Sequence, residues 1–139
     1  MRRTLLLLAG LLMAFAPAPL PKQRRPDAAS QGDLQAMQGV WTERFADSAA
    51  VTIIGDRMEY SPAYTWELTL YAKANPRRVV ATGVGSEVAG KTRVGIYRLE
   101  GDKLIICWRR EPTSKLEWPA RLDPIHKDVW IEVFTPVKK

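Results

Sequence analysis

Few side chains in this sequence could carry out covalent or acid–base chemistry on a substrate. The chain has one cysteine, Cys107, and one histidine, His126, and these two residues cannot assemble a zinc set. A Ser-His-Asp triad would require His126, and the sequence has no Gly-x-Ser-x-Gly elbow to present its serine. His126 stands in a loop between strand patterns, which favours a surface position. Cys107 stands between Ile106 and Trp108, which favours a buried and inert thiol.

Pairs of carboxylates are the other source of acid–base chemistry in the chain. Glu43 with Glu67, and Glu100 with Asp102, supply the residue type that general acid–base catalysis needs. These residues alternate with apolar neighbours or stand in turns, so we expect them on the solvated outside of a sheet. We therefore predict no enzymatic activity, no metal site and no cofactor.

The distribution of charge bears on nucleic acids as partners. The whole chain carries 21 Lys and Arg against 15 Asp and Glu, a net charge of +6. From Asp33 onward the counts are 16 and 14, so the net charge of that part is +2. The segment Trp108-Arg109-Arg110 resembles the stacking-plus-cation arrangement that binds single strands. A domain with a charge of +2 lacks the long-range basic field of such proteins, so no nucleic-acid partner is expected.

The first residues have the pattern of an export signal. Arg2 and Arg3 precede an apolar run, 5–15, that is followed by small residues. As a helix this run would be about 16 Å long, half of a ~30 Å bilayer core, so a spanning helix is not expected. Residues 1–18 are predicted to be a signal peptide for a periplasmic or extracellular protein, with an uncleaved, membrane-tethered form as the alternative. Prolines and basic residues predict a linker at 19–32, and membrane contact is expected only through these two segments.

Residues 33–136 carry the periodicity of one small β domain. A short helix is predicted at 34–38, capped by Ser30 or Asp33 and ended by Gly39. The predicted strands are 40–45, 50–54, 57–60, 64–71, 78–82, 92–99, 103–109, 117–122 and 128–134. The segment 117–122 contains Pro119 and is expected at an edge or a bulge. About eight strands joined by short loops favour an all-β, antiparallel, up-and-down barrel, because closure removes their edges.

Three groups of residues resemble a known family. They are Asp33-Leu34 with Met37-Gln38-Gly39-Val40-Trp41, Asn75-Pro76, and Gly95-Ile96-Tyr97-x-Leu99-Glu100-Gly101-Asp102-x-Leu104-x-x-Cys107. The pattern is similar to that of small exported proteins abundant in planctomycete bacteria, whose domain is uncharacterised and lipocalin-like. The resemblance covers residues 33–134. It implies an eight-stranded lipocalin-like barrel and an envelope or extracellular location, and it implies no established activity.

The first functional hypothesis is a small hydrophobic ligand bound inside the barrel. The interior of an eight-stranded barrel is one that side chains can just fill or that holds one small ligand. The predicted lining is Trp41, Trp66, Leu68, Leu70, Ile96, Leu104, Ile106 and Trp108, with Val94, Ile131 and Val133 as further inward-facing candidates. Trp41 is also expected to plug the closed end of the barrel beside the helix.

The second hypothesis is a filled barrel that serves as a protein-interaction or scaffold module of the cell envelope. Its expected contact is an exposed aromatic patch at Trp118, beside Pro119, and a lid over the barrel is the structural alternative for that ring. Two residues of the 92–99 strand have structural interpretations. Tyr97 is expected to be a cross-strand aromatic partner, and Gly95 to make room for a neighbouring ring or a bend.

Overall fold

The fold is built from β-strands, each of which pairs with the next strand along the chain. A computed structural model of the protein describes residues 25–44, 50–110, 117–122 and 127–138. Its elements are α1 (Ala28–Ala36), β1 (Gly39–Glu43), β2 (Ala50–Ile54), β3 (Arg57–Ser61), β4 (Tyr64–Tyr71), β5 (Arg78–Gly83), β6 (Thr92–Glu100), β7 (Lys103–Arg109) and β8 (Val129–Pro136). Each strand pairs antiparallel with the next, and β8 pairs with β1 to close the barrel. The predicted eight-stranded, lipocalin-like antiparallel barrel with a short N-terminal helix is confirmed.

The strand boundaries lie close to the predicted ones. Strands β2, β4 and β7 have the predicted limits, and the others differ by one or two residues at an end. In two of the hairpin turns Gly55 and Gly101 have φ angles of 61° and 57°, a region that side chains disfavour. The short strand expected at 117–122 is wrong, because this segment is irregular and Pro119 has no N–H to donate to a ladder.

Helix α1 begins before the predicted position. Asp27 is its N-cap, and the Asp27 carboxylate accepts a 2.9 Å hydrogen bond from the Ser30 backbone N–H. Five residues of the helix, 28–32, therefore come from the segment that the sequence assigned to the linker. Ser30 does not cap the helix but fastens it to β4: its hydroxyl donates to the Leu70 carbonyl at 3.0 Å and accepts from the Ala72 N–H at 3.2 Å.

Up-and-down connectivity gives the barrel two different ends. The helix end carries α1 and the β2–β3, β4–β5 and β6–β7 turns. The loop end carries the connections β1–β2, β3–β4, β5–β6 and β7–β8. Within the described residues, no helix is both long enough and apolar enough to cross a lipid bilayer.

The register of the strands decides which side chains face the interior, because directly paired residues of antiparallel strands point to the same face. Leu68 pairs with Ala81, and Ala81 pairs with Arg93, so these three share the inner face. The apolar and aromatic residues on this face that are at most 5% exposed are Trp41, Val51, Ile53, Met58, Trp66, Leu68, Leu70, Val79, Ala81, Tyr97, Leu104, Ile106, Trp108 and Phe134. Burial of one large apolar side chain is worth about 1.5–3 kcal/mol, so this core stabilises the fold without a disulfide.

Ile96 does not line the interior, contrary to the prediction. Gly95 and Tyr97 take the inward positions of β6, and Ile96 pairs with the outward residues Arg78 and Cys107. The same correction applies to three further residues expected to face inward: Val94, Ile131 and Val133. Ile96 is nevertheless fully buried, so burial alone could not reveal its face.

The outer wall is covered in this part of the barrel. The described part of the β7–β8 connection, 117–122, packs against it, with Pro119 buried and Trp118 partly buried. The Trp118 ring lies 4.6 Å from the guanidinium carbon of Arg78, the outward neighbour of Ile96. The middle of β6, residues 94–97, is buried on both faces, so burial does not alternate there.

Candidate ligand-binding site

Seven of the eight predicted lining residues face the interior, and all seven are buried. Trp41 closes the helix end as predicted, since its indole N–H donates a 2.8 Å hydrogen bond to the carbonyl of Met37, which is itself buried. Leu70, Leu104 and Phe134 belong to the same packed core. Protein side chains therefore occupy this half of the barrel, as the filled-core alternative expects.

Towards the loop end, the interior changes from apolar to a mixture of aromatic and charged side chains, which we call the loop-end cluster. It consists of Glu43, Tyr60, Trp66, Arg93, Trp108, Trp130 and Glu132. Trp66 and Trp108 form a buried base, at 2% and 1% exposed. The side chains of Tyr60, Arg93 and Trp130 are partly exposed, so the cluster reaches from the core to water.

Glu132 is the buried centre of this cluster. One of its carboxylate oxygens, Oε2, accepts a 2.6 Å hydrogen bond from the Trp108 indole N–H and a 2.9 Å bond from the Tyr60 hydroxyl. Glu132 is 7% exposed, and hydrogen bonds of this kind are what make a buried carboxylate tolerable. They also fix the positions of both rings.

Arg93 crosses the interior from β6 and lies against two tryptophans. Its guanidinium carbon is 4.1 Å from the centroid of the Trp66 ring and 5.2 Å from that of Trp130. Trp130 in turn lies beside Trp108, with ring centroids 6.4 Å apart. A cation against two ring faces is attracted by their negative faces, by about 0.5–2 kcal/mol for each contact.

The carboxylates affect the protonation of their neighbours. Burial, and then the Glu132 carboxylate, raise the pKa of the Tyr60 hydroxyl well above its ordinary value, so Tyr60 keeps its proton and donates it to Glu132. Burial, and then the charge of Glu132, raise the pKa of Glu43. Glu43 therefore keeps a proton to a higher pH than a solvated glutamate does.

A glycine makes room for the aromatic base of the cluster. A Cβ atom on Gly95 would lie 2.9 Å from Cε3 of the Trp108 ring and 2.8 Å from the Cys107 carbonyl oxygen. Only glycine therefore allows Trp108 to lie against β6, as the sequence predicts for this position.

Tyr60 lies where the β3–β4 register shifts, between Glu59 and Ser61.

The other residues considered for chemistry do not meet in one place. Glu43 faces inward beside Phe134, so the prediction of an exterior position for Glu43 is wrong. Glu43 follows Trp41 by two residues in β1 and therefore lies on the same face as Trp41. Glu67 faces outward, and Cys107 is buried on the outer side of β7. His126 lies outside the described residues. Among the residues that are described, no group of three or more His, Cys, Asp or Glu could hold a metal ion.

Trp118 lies on the outer wall, against the ends of β4 and β5 near the helix end. Its ring meets that of Tyr71 edge-on, with centroids 6.4 Å apart, and covers the Arg78 guanidinium. Tyr71 and Arg78 are paired and face outward. The role of Trp118 as an interaction surface stays a prediction.

A concave surface lies beside the helix end. It is a groove of about 550 Å³ lined by Arg25, Pro26, Leu34, Asp56, Glu67, Leu68, Thr69 and Leu70. Two residues predicted as cavity lining, Leu68 and Leu70, contribute to its floor. The groove offers no tryptophan face, whereas three indoles meet two carboxyls and a guanidinium in the loop-end cluster.

Comparison of the chain with protein-family models, with curated proteins and with solved structures finds no match. The resemblance to planctomycete lipocalin-like proteins therefore stays a prediction. The loop-end cluster brings together aromatic rings, a cation and carboxyls. Small-molecule binding sites are commonly built from such groups.

Proposed function

We propose that this protein is an exported, non-catalytic binding protein that takes a small amphipathic molecule at the loop-end cluster. One observation carries the proposal: Arg93 lies between Trp66 and Trp130, directly above a filled apolar core. A ligand would place its apolar body against the exposed part of the Trp130 side chain and its polar group towards Arg93 and Tyr60. This modifies the hypothesis of a hydrophobic ligand in the barrel, because the helix half is occupied by protein.

Partial exposure at the rim supports this position for the ligand. Trp130 and Tyr60 are partly exposed, while Trp66 and Trp108 beneath them are buried. Small-molecule sites combine aromatic walls with a few fixed polar groups. Glu132 fixes the side chains of Tyr60 and Trp108 by hydrogen bonds. The predicted signal at 1–18 would place such a protein in the periplasm or outside the cell.

The proposal is tested by thermal shift and tryptophan fluorescence with a panel of amphipathic small molecules. A ligand present at one hundred times its Kd stabilises the folded state by about 2.7 kcal/mol, which raises the melting temperature by several degrees. We expect at least one panel member to do so for the wild-type protein and for Tyr71→Ala, an outer-wall control. The shift should be lost in Trp130→Ala. A panel without any shift would contradict the proposal.

The interaction-module hypothesis is the second candidate, and the outer wall supports it. Tyr71 is 44% exposed beside the partly buried Trp118, so two aromatic rings and Arg78 form one surface there. Alanine at Tyr71 should abolish capture of an envelope protein without lowering the melting temperature if this surface binds a partner. Trp130→Ala is then the matched control and should leave that capture unchanged.

A further inference from the structure

We infer that the loop-end cluster selects an oxyanion, a carboxylate or phosphate head group on an apolar body, and that Arg93 is the residue that binds it. This inference rests on the proposed function and names the ligand class for the same site. It follows from three observations. Arg93 contacts tryptophan rings, it has no hydrogen-bond acceptor among the described residues, and the neighbouring side chains already make contacts of their own.

Stacking leaves the hydrogen-bond donors of Arg93 available. The guanidinium carbon lies over the Trp66 ring, 4.1 Å from its centroid, so this contact is made with the π-face of the indole and not with a hydrogen-bond acceptor. The five N–H bonds of a guanidinium lie in its plane and form a rigid fork of donors. Two parallel N–H bonds of this kind match the two oxygens of a carboxylate or phosphate.

Arg93 differs from the paired arginines of the chain. Arg77 binds the Asp33 carboxylate at 3.1 Å, Arg98 binds Glu100 at 2.6 Å, and Arg109 binds Glu117 at 3.0 Å. Among the described residues, Arg93 contacts two rings and has no acceptor within hydrogen-bond distance. Its guanidinium nitrogens are not among the buried polar atoms without a partner, so a ligand or water can reach them.

The contacts already made within the cluster favour an anion over a cation at this position. The Oε2 oxygen of Glu132 already accepts hydrogen bonds from the Tyr60 hydroxyl and the Trp108 indole N–H. A cationic ligand would instead have to displace Arg93 from the ring faces of Trp66 and Trp130, since the guanidinium already occupies them.

The test compares matched probes of opposite charge on the full chain by isothermal titration calorimetry. Octanoate and octyl phosphate carry the two oxyanion head groups, and octyltrimethylammonium carries a cation on the same apolar body. We expect one or both anions to bind the wild type at least tenfold more tightly than the cation does. Which anion binds more tightly distinguishes a carboxylate ligand from a phosphate ligand.

Variants assign the effect to Arg93. Arg93→Gln should weaken anion binding at least tenfold, Arg93→Lys should retain part of it, and Arg98→Gln on the outer wall should retain all of it. Preferred binding of the cation, or full anion affinity in Arg93→Gln, would overturn the inference while leaving a binding function in place. Absence of binding by all three probes, together with a panel that gives no shift, would remove both. If Arg93→Gln does not fold, the wild-type preference between the charged probes decides.

Discussion

The two ends of the barrel each hold a carboxylate, a tyrosine and an arginine, and the three groups meet in different ways. At the helix end, Asp33 of α1 accepts a 2.6 Å hydrogen bond from the Tyr97 hydroxyl and two 3.1 Å bonds from Arg77. At the loop end, Glu132 accepts from Tyr60, but Arg93 lies against tryptophan rings instead of the carboxylate.

This difference separates a structural contact from a candidate binding site. The Asp33 contact joins three elements, the helix, the β4–β5 turn and β6, and satisfies every charge within it. Burial and the neighbouring carboxylate raise the pKa of the Tyr97 hydroxyl, so this tyrosine keeps its proton and the contact persists. In the loop-end cluster no acceptor of the described residues lies within hydrogen-bond distance of the Arg93 guanidinium, and we propose that a ligand supplies one.

The largest expected effect separates the tryptophans of the two ends. Trp41→Ala should lower the free energy of unfolding by about 3–5 kcal/mol, because it removes a buried ring and leaves a cavity beside Met37. Trp130→Ala should cost clearly less, since its ring is partly exposed. Urea unfolding of both variants measures the difference. Equal losses would mean that the loop end is as much a part of the folded core as the helix end.

The second comparison concerns the two tyrosine hydroxyls. Tyr97→Phe should cost about 1.5–3 kcal/mol, the range for hydrogen bonds to charged groups, because Tyr97 is buried and the helix loses an attachment. Tyr60→Phe should cost less, as Glu132 retains the Trp108 donor. Chemical denaturation measures both, and Arg98→Ala, which breaks an exposed ion pair, should cost less than about 1 kcal/mol as the control. A larger loss for Tyr60→Phe would reverse the assignment of the two ends.

Much of the fold can be predicted from the sequence because its turns and its first strands are strongly patterned. Gly55 and Gly101 mark two hairpins, and the alternation of Trp66, Leu68 and Leu70 fixes the inner face of β4. Alternation fails in the middle of β6, where residues 94–97 are buried on both faces. Ile96 was therefore assigned to the wrong side, although Gly95 beside it correctly indicated space for a ring.

The residues of the candidate site cannot be predicted from the sequence, because their inward orientation is not evident from the local pattern. Glu132 and Arg93 are charged residues in strands, and such residues are normally assigned to the solvated face. Their inward position depends on partners far along the chain, since Tyr60 lies 72 residues before Glu132. One local signal was available: Glu43 follows Trp41 by two residues, so strict alternation places its carboxyl inside with the indole.

The smallest expected effect is a dependence of stability on pH that arises at the loop end. Glu43 has an ordinary pKa of 4.5, and burial with the nearby Glu132 charge raises it in the folded protein. Between the two pKa values the folded state binds more protons than the unfolded chain, so this residue lowers stability as pH rises through that window. Glu43→Gln should therefore melt at a higher temperature than the wild type at pH 7. The gain should disappear below about pH 4, where the carboxyl is protonated in both states.

Melting curves at the two pH values measure this effect, and Glu67→Gln, which removes an outward carboxylate from β4, controls for the change in net charge. Lower stability of Glu43→Gln at pH 7 would mean that the ionised carboxylate is held by a cation in the folded protein. Arg93 is the one cation of the loop-end cluster, so that result would make this end a closed contact like the one at Asp33. The donors of Arg93 would then already be used, and the contrast between the two ends would be lost.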